Sequence, residues 1–158
     1  MLIVSLDTSS QVSSVAVLSE ERVAAEVSMQ GALTHSETLM PHIELALQMA
    51  HAKKTELDGI AVSIGPGSFT GLRIGLAAAK MMAYALNIPM ICVPTLEALA
   101  CHYAGSVGLR ILPMMDAQKG NVYVQEFRWR PEGEDVRLSE EHPLSILPLT
   151  EVLDALVG

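Results

Sequence analysis

The stretch Ser63–Lys80, SIGPGSFTGLRIGLAAAK, decides the fold. A short apolar strand, Ile60–Ile64, runs into a glycine-proline turn. The chain leaves that turn as a long helix, from about Ser68 to Leu86, stopped by Asn87, Ile88 and Pro89. Strand, glycine turn and helix also outline a phosphate loop, so the spacing has to be tested. A Walker-type loop needs G-x-x-x-x-G-K-[ST], whose lysine reaches the terminal phosphates. Here Leu72 and Arg73 follow Gly71, and Gly65 to Gly71 is one residue too long. A dinucleotide fingerprint needs G-x-G-x-x-G, whereas GPGSFTG sets three residues between Gly67 and Gly71. Amides at the start of any helix can hold an anion, which says little about nucleotides.

Packing accounts for more of the stretch. Gly71, Gly75, Ala79 and Ala83 recur every four residues and form one bare side of the helix. Such a ridge allows close approach and buries the flanking Leu72, Ile74 and Leu76. Each interior glycine costs about 1 kcal/mol relative to alanine, so close contact has to offset two of them. On residues alone, the ridge faces either a partner or the chain's own sheet and first helix. Gly65-Pro66-Gly67 reads as a rigid turn leaving the strand.

Outward from this crossover, Leu2–Leu6, Val15–Leu18 and Val23–Val27 read as an antiparallel meander. Thr34 then opens a helix through a capping box with Glu37, with Leu39, Ile43, Ala46, Leu47 and Ala50 as its apolar stripe and Pro41 interrupting it. After the long helix, Met90–Val93 is a strand, and Thr95 is expected to cap a helix reaching about Tyr103 before Gly105. The order β-β-β-α-β-α-β-α implies a mixed sheet with helices on its faces.

Arg110–Phe127, RILPMMDAQKGNVYVQEF, restarts the pattern of the opening LIVSLDTSSQVSSVAVL, with Asp116 in the place of Asp7. Val136–Leu138 would be its third strand and Thr150–Leu156 the start of its first helix. The expected division is an amino-terminal lobe over 1–106 and an incomplete second lobe over 107–158, the chain stopping before its later elements. A hairpin belonging to the first lobe is the alternative.

Composition narrows the function. Half of the 158 residues are hydrophobic but only 4% are aromatic, so the core is aliphatic and methionine-rich. The formal net charge of −8 repels phosphate backbones, so direct nucleic-acid binding is disfavoured. Cys92 and Cys101 have neither redox nor metal-ligand spacing, and the opening MLIVSLDTSS has no signal-peptide pattern. Apolar runs are interrupted before the roughly 18 residues a membrane span needs. A cytoplasmic protein without membrane contact is expected.

GPGSFTGLRIG, together with THSETLMPHIE, DTSS…SVAV and DAQKGNVYV, resembles the TsaB/YeaZ family over Leu2 to about Phe127. The resemblance implies an actin/Hsp70/sugar-kinase-like (ribonuclease H-like) fold of two related lobes. It also implies a scaffold role in synthesis of threonylcarbamoyladenosine in tRNA. Its implied partners are a catalytic TsaD-type subunit and a TsaE-type ATPase, with tRNA reached only indirectly. Transferred to this chain, the pairing face comprises His35, Leu39, His42 and Ile43 of the first helix. From the second helix it takes Gly71, Leu72, Arg73, Gly75, Leu76, Ala79 and Ala83. Without its partner, such a ridge should drive self-association into a homodimer.

ATPases of the same fold carry phosphate loops and a magnesium-binding carboxylate where this chain has Asp7-Thr8-Ser9 and Asp116. Those loops are glycine-rich, whereas DTSSQVSS has no glycine and DAQKGN only Gly120. The expectation is a vestigial site: no cofactor in the isolated chain, with ATP and magnesium confined to an assembled complex. For Asp7 the plainer reading is capping of its own turn. His35 and His42 are seven residues apart with Pro41 between them, and His51 lies further on, so no metal pair is expected. No G-x-S-x-G elbow surrounds Ser68. The alternative function, a stand-alone ATP-dependent phosphotransferase or metal-dependent glycoprotease-like peptidase, therefore lacks a complete constellation. FRWRPEGEDVR, with the lone Trp129, reads as a solvated hairpin tip or secondary contact.

Overall fold

A computed structural model of the chain describes residues 1–20, 22–30 and 35–157. It divides into two compact units, Met1–Val93 and Pro94–Gly158.

In the first unit, β1 (Leu2–Asp7), β2 (Val12–Ser19) and β3 (Val23–Gln30) form the antiparallel meander. Helix α1 (His35–Met49), β4 (Gly59–Ser63), α2 (Phe69–Leu86) and β5 (Met90–Val93) follow. β4 and β5 join in parallel, giving the order β3-β2-β1-β4-β5. Alternation along the strands puts every second side chain on one face. Register then aligns Ala25, Val17, Val4 and Ile60 in one cross-strand row, and Val27, Val15, Leu6 and Val62 in the next. Both rows are buried. Leu39, Ile43, Ala46 and Leu47 of α1 and Ala79 and Met82 of α2 complete that core. The Thr34–Glu37 capping box lies outside the described residues at Thr34, and α1 runs on through Pro41.

The second unit begins with α3 (Thr95–Cys101), whose Leu96 and Ala100 pack with Ile111 and Phe127. This apolar contact places the division at Val93/Pro94 rather than at 106/107. Thr95 does not cap α3. Pro94 holds the cap position without a side-chain bond, and the buried Thr95 hydroxyl has no partner. The expected first strand is split into β6 (Arg110–Ile111) and β7 (Met114–Asp116), both antiparallel to β8 (Asn121–Glu132). β8 and β9 (Asp135–Pro148) make a long hairpin, and α4 (Leu149–Val157) buries Val152 against Val122 and Val124. Trp129 is not at the hairpin tip. It is half-buried beside the Leu96–Phe127 cluster. Glu126 is buried where the ladder bulges, and accepts an ion-pair bond from Arg110 Nε at 2.9 Å.

The repeat is visible in detail. Asp7 Oδ1 accepts the Ser9 amide at 2.9 Å, and Asp116 Oδ1 accepts the Gln118 amide at 2.7 Å. Each carboxylate closes the turn between the first two strands of its meander, the second unit's first strand being the split pair. The mixed five-stranded sheet, its antiparallel meander extended by parallel β4 and β5, is an actin/Hsp70/sugar-kinase-like (ribonuclease H-like) lobe.

Candidate functional site

The turn after β1 and the turn before α2 interlock. Asp7 Oδ1 also accepts the Ser63 hydroxyl from the end of β4 at 2.7 Å. The Ser9 carbonyl accepts the Ser68 amide at 2.6 Å, and Ser68 Oγ caps α2 by accepting from the Gly71 amide. Thr8 is buried and donates its hydroxyl to the Gly71 carbonyl at 2.8 Å. A Cβ on Gly67 would fall on the Ser9 carbonyl, and one on Gly75 would fall on Thr8 Oγ1. Asp7, Thr8 and Ser9 are thus brought together, but they bond this chain's own turn and helix. Asp116 and Gly120 belong to the second unit, where Gly120 adopts φ 78° in the turn that Asp116 closes.

The small-residue ridge is internal. Gly71, Gly75 and Ala79 are buried, Ala83 and Leu76 are half-buried against the first unit's own core, and Leu72 is half-buried. The sheet and the β1–β2 turn fill the space that was expected to take another chain. The same correction applies to α1, where Leu39, Ile43 and His42 are buried. His42 Nδ1 lies 3.1 Å from Ser13 Oγ on β2, a buried polar pair rather than a surface contact. Ser13→Ala leaves that ring nitrogen unsatisfied, and is expected to cost about 1–2 kcal/mol in urea unfolding with pairing unaffected. The His35 side chain lies outside the described residues. Of the expected face, only Arg73 is exposed among the described side chains.

The opposite side of α2 carries the surface that sequence reasoning missed. Tyr84 is 91% exposed, Met81 73% and Phe69 69%. Arg73 and Ala77 lie between them at helical spacing, and the Arg73 guanidinium sits 4.0 Å over the Phe69 ring. Met40, Leu45 and Met49 are exposed on α1, which packs beside α2. The sequence did hold a signal. α2 is apolar nearly all round, with Arg73 and Lys80 its only charges, and such a helix is covered on more than one side.

Among the described residues, no three His, Cys, Asp or Glu side chains lie close enough together to hold a metal ion. Burial, and then the neighbouring Glu97 carboxylate, push the Cys101 thiol above its ordinary range, so the nucleophilic thiolate is disfavoured. Among the described residues, no helix is long and apolar enough to cross a membrane.

Comparison with known proteins agrees with this architecture. Residues 27–142 match the family TsaD, tRNA N6-adenosine threonylcarbamoyltransferase. The tRNA threonylcarbamoyladenosine biosynthesis protein TsaB of Bacillus subtilis is 37% identical over 130 residues, covering 82% of this chain and 56% of that protein. The Escherichia coli TsaB is 31% identical, covering 84% and 58%. YeaZ from Pseudomonas aeruginosa superposes with a TM-score of 0.77 at 28% identity, over 93% of this chain and 67% of that one. The chain therefore spans little more than half the length of the curated relatives it matches. With the family model matching most of its length and TsaB and YeaZ proteins aligning over most of it, the chain belongs to the TsaD family, in its TsaB/YeaZ group.

Proposed function

We propose that the protein is a non-catalytic docking subunit for a TsaD-type enzyme, supporting threonylcarbamoyl transfer to adenosine in tRNA. One observation carries this: the exposed Phe69–Tyr84 side of α2. A contiguous apolar helix surface of this kind is a protein-interaction surface, with two aromatic residues suited to anchor it. The family membership supports the identity of the partner. The interlocked turns support the lack of chemistry, since Asp7 Oδ1, the Thr8 hydroxyl and the Ser9 backbone are engaged within the chain, by Ser63, Gly71 and Ser68 among others. On this reading the isolated chain needs no cofactor, and ATP with magnesium enters only in the assembled complex. A TsaE-type ATPase joins that complex. The net charge of −8 leaves tRNA contact to the partner. Alone, the protein covers the same helix surface by forming a homodimer.

Size exclusion of the protein with and without a TsaD-type subunit tests the proposal. A one-to-one complex that displaces the homodimer is expected. Separate elution, or ATP hydrolysis or peptidase activity by the isolated protein, would sink it.

A further inference from the structure

We infer that Thr8 is a positioning residue for docking: through Gly71 and Gly75 it fixes how α2 lies on the sheet, and so which way Phe69, Met81 and Tyr84 face. The inference rests on the docking reading above.

Most of the hold on α2 is apolar contact, through Ala79, Met82 and their neighbours. Such contact is non-directional and by itself tolerates small rotations and slides. Thr8 supplies what it lacks. Its hydroxyl donates to one particular carbonyl, Gly71 O, at 2.8 Å, and a carbonyl has one position along and around its helix. One turn further on, the bare Gly75 lets the same hydroxyl sit directly against the helix backbone. Thr8 cannot drift to accommodate a shifted helix. Its neighbour Asp7 is tied to Ser9 and Ser63, and the Ser9 carbonyl takes the Ser68 amide. One hydrogen bond and one bare residue, a turn apart, therefore set both the register and the rotation of α2. A methyl group added at position 75 overlaps the Thr8 hydroxyl, so either the Thr8 side chain turns and gives up its bond to Gly71 or α2 moves outward at that point. If the helix moves, the exposed side tilts with it, and a tilted helix loses complementarity with a partner shaped for the original angle.

The experiment is a double-mutant cycle, read as the affinity of the full protein for a purified TsaD-type subunit. Gly75→Ala is expected to weaken pairing about tenfold or more, because its methyl group overlaps the Thr8 hydroxyl. Thr8→Ala is expected to weaken it only about threefold. The double variant should return to within about threefold of the unmodified protein, since the new methyl group takes the space the hydroxyl leaves. A role confined to stability predicts something else: the melting temperatures of the variants move, while the affinity of the folded protein for the partner does not change. A folded Gly75→Ala protein that pairs at full strength overturns the inference, as does a double variant no better than Gly75→Ala. If Gly75→Ala does not fold, Thr8→Val and Thr8→Ser decide. Serine keeps the donor and should pair normally; valine keeps the shape without the donor and should not. Equal pairing by those two overturns the inference. Tyr84→Ala, remote from Thr8, separates the two levels of argument. Unchanged pairing by Tyr84→Ala removes the docking reading and this inference with it. Weakened pairing by Tyr84→Ala beside a fully competent Gly75→Ala removes only the inference.

Discussion

Gly67→Ala is expected to lower the thermal midpoint of the protein by about 8–24 °C. Two costs combine. Gly67 has φ +154°, a backbone conformation that residues with a side chain rarely adopt, and holding alanine there costs about 1–3 kcal/mol. The new Cβ would also meet the Ser9 carbonyl oxygen, Ser9 Cβ and Ser9 carbonyl carbon at once. Those atoms are mostly backbone and cannot rotate away. To make room, the turn has to withdraw from Ser9 and give up the Ser68–Ser9 hydrogen bond, which leaves the buried Ser9 carbonyl unpaired at about 1–3 kcal/mol. Gly133→Ala is the internal control. It too has a positive φ, 67°, but nothing lies within 4 Å of its added Cβ. It should show the conformational cost alone, about 1 kcal/mol and a few degrees. Calorimetric melting of the two variants side by side checks the claim. Equal, small shifts would mean that the two turns are not closed on each other as described.

The contrast also marks what could be read from residues and what could not. Alternation in LIVSLD and VSSVAVLS, the GPG turn and the long apolar helix each carry their own period or breaker, so the order of elements in the first unit was legible. The repeat was legible too, because Asp7 and Asp116 do the same local work in turns of similar outline. The facing of α2 was not. A row of Gly71, Gly75 and Ala79 states that something comes close. It does not say whether that is Thr8 or another chain, since the partner in the contact lies over sixty residues away. Here the chain's own β1–β2 turn came close, and the exposed apolar side chains of α2 lie on the other side. His42 misled for a related reason. Its bond to Ser13 joins α1 to β2, a pairing no local pattern announces. In the second unit, β9 was read only at Val136–Leu138 because Glu140, Glu141, His142 and Pro143 break its alternation. The long β8 partner holds that segment extended regardless, with Pro143 tolerated on an edge strand. Trp129 was obscured by charged neighbours along the chain, while the cluster it packs against draws on α3 and β6 as well as its own strand.

Met81→Glu combined with Tyr84→Ala is expected to weaken pairing with a TsaD-type subunit by more than about a hundredfold, with the melting curve essentially unchanged. The two halves of that expectation come from one fact. Both side chains stand in water in the isolated lobe, Tyr84 91% and Met81 73% exposed, so the fold gives up almost nothing when they change. Binding is another matter. A tyrosine anchored in a partner's pocket is commonly worth about 2 kcal/mol or more, and a carboxylate placed at a desolvated apolar contact adds a comparable penalty. Met82, the next residue round the helix, supplies the mirror image. It is 9% exposed and packs in the core, so Met82→Ala should cost about 2–4 kcal/mol of stability while the folded fraction still pairs normally. Neighbouring residues with opposite phenotypes are the signature of a helix whose two sides serve different polypeptides. Self-association should follow the same pattern, because the homodimer would use the same surface. Sedimentation of the isolated variant should then show a monomer. If the Met81→Glu, Tyr84→Ala protein stays dimeric and pairs normally, the Phe69–Tyr84 surface is not where this subunit is held.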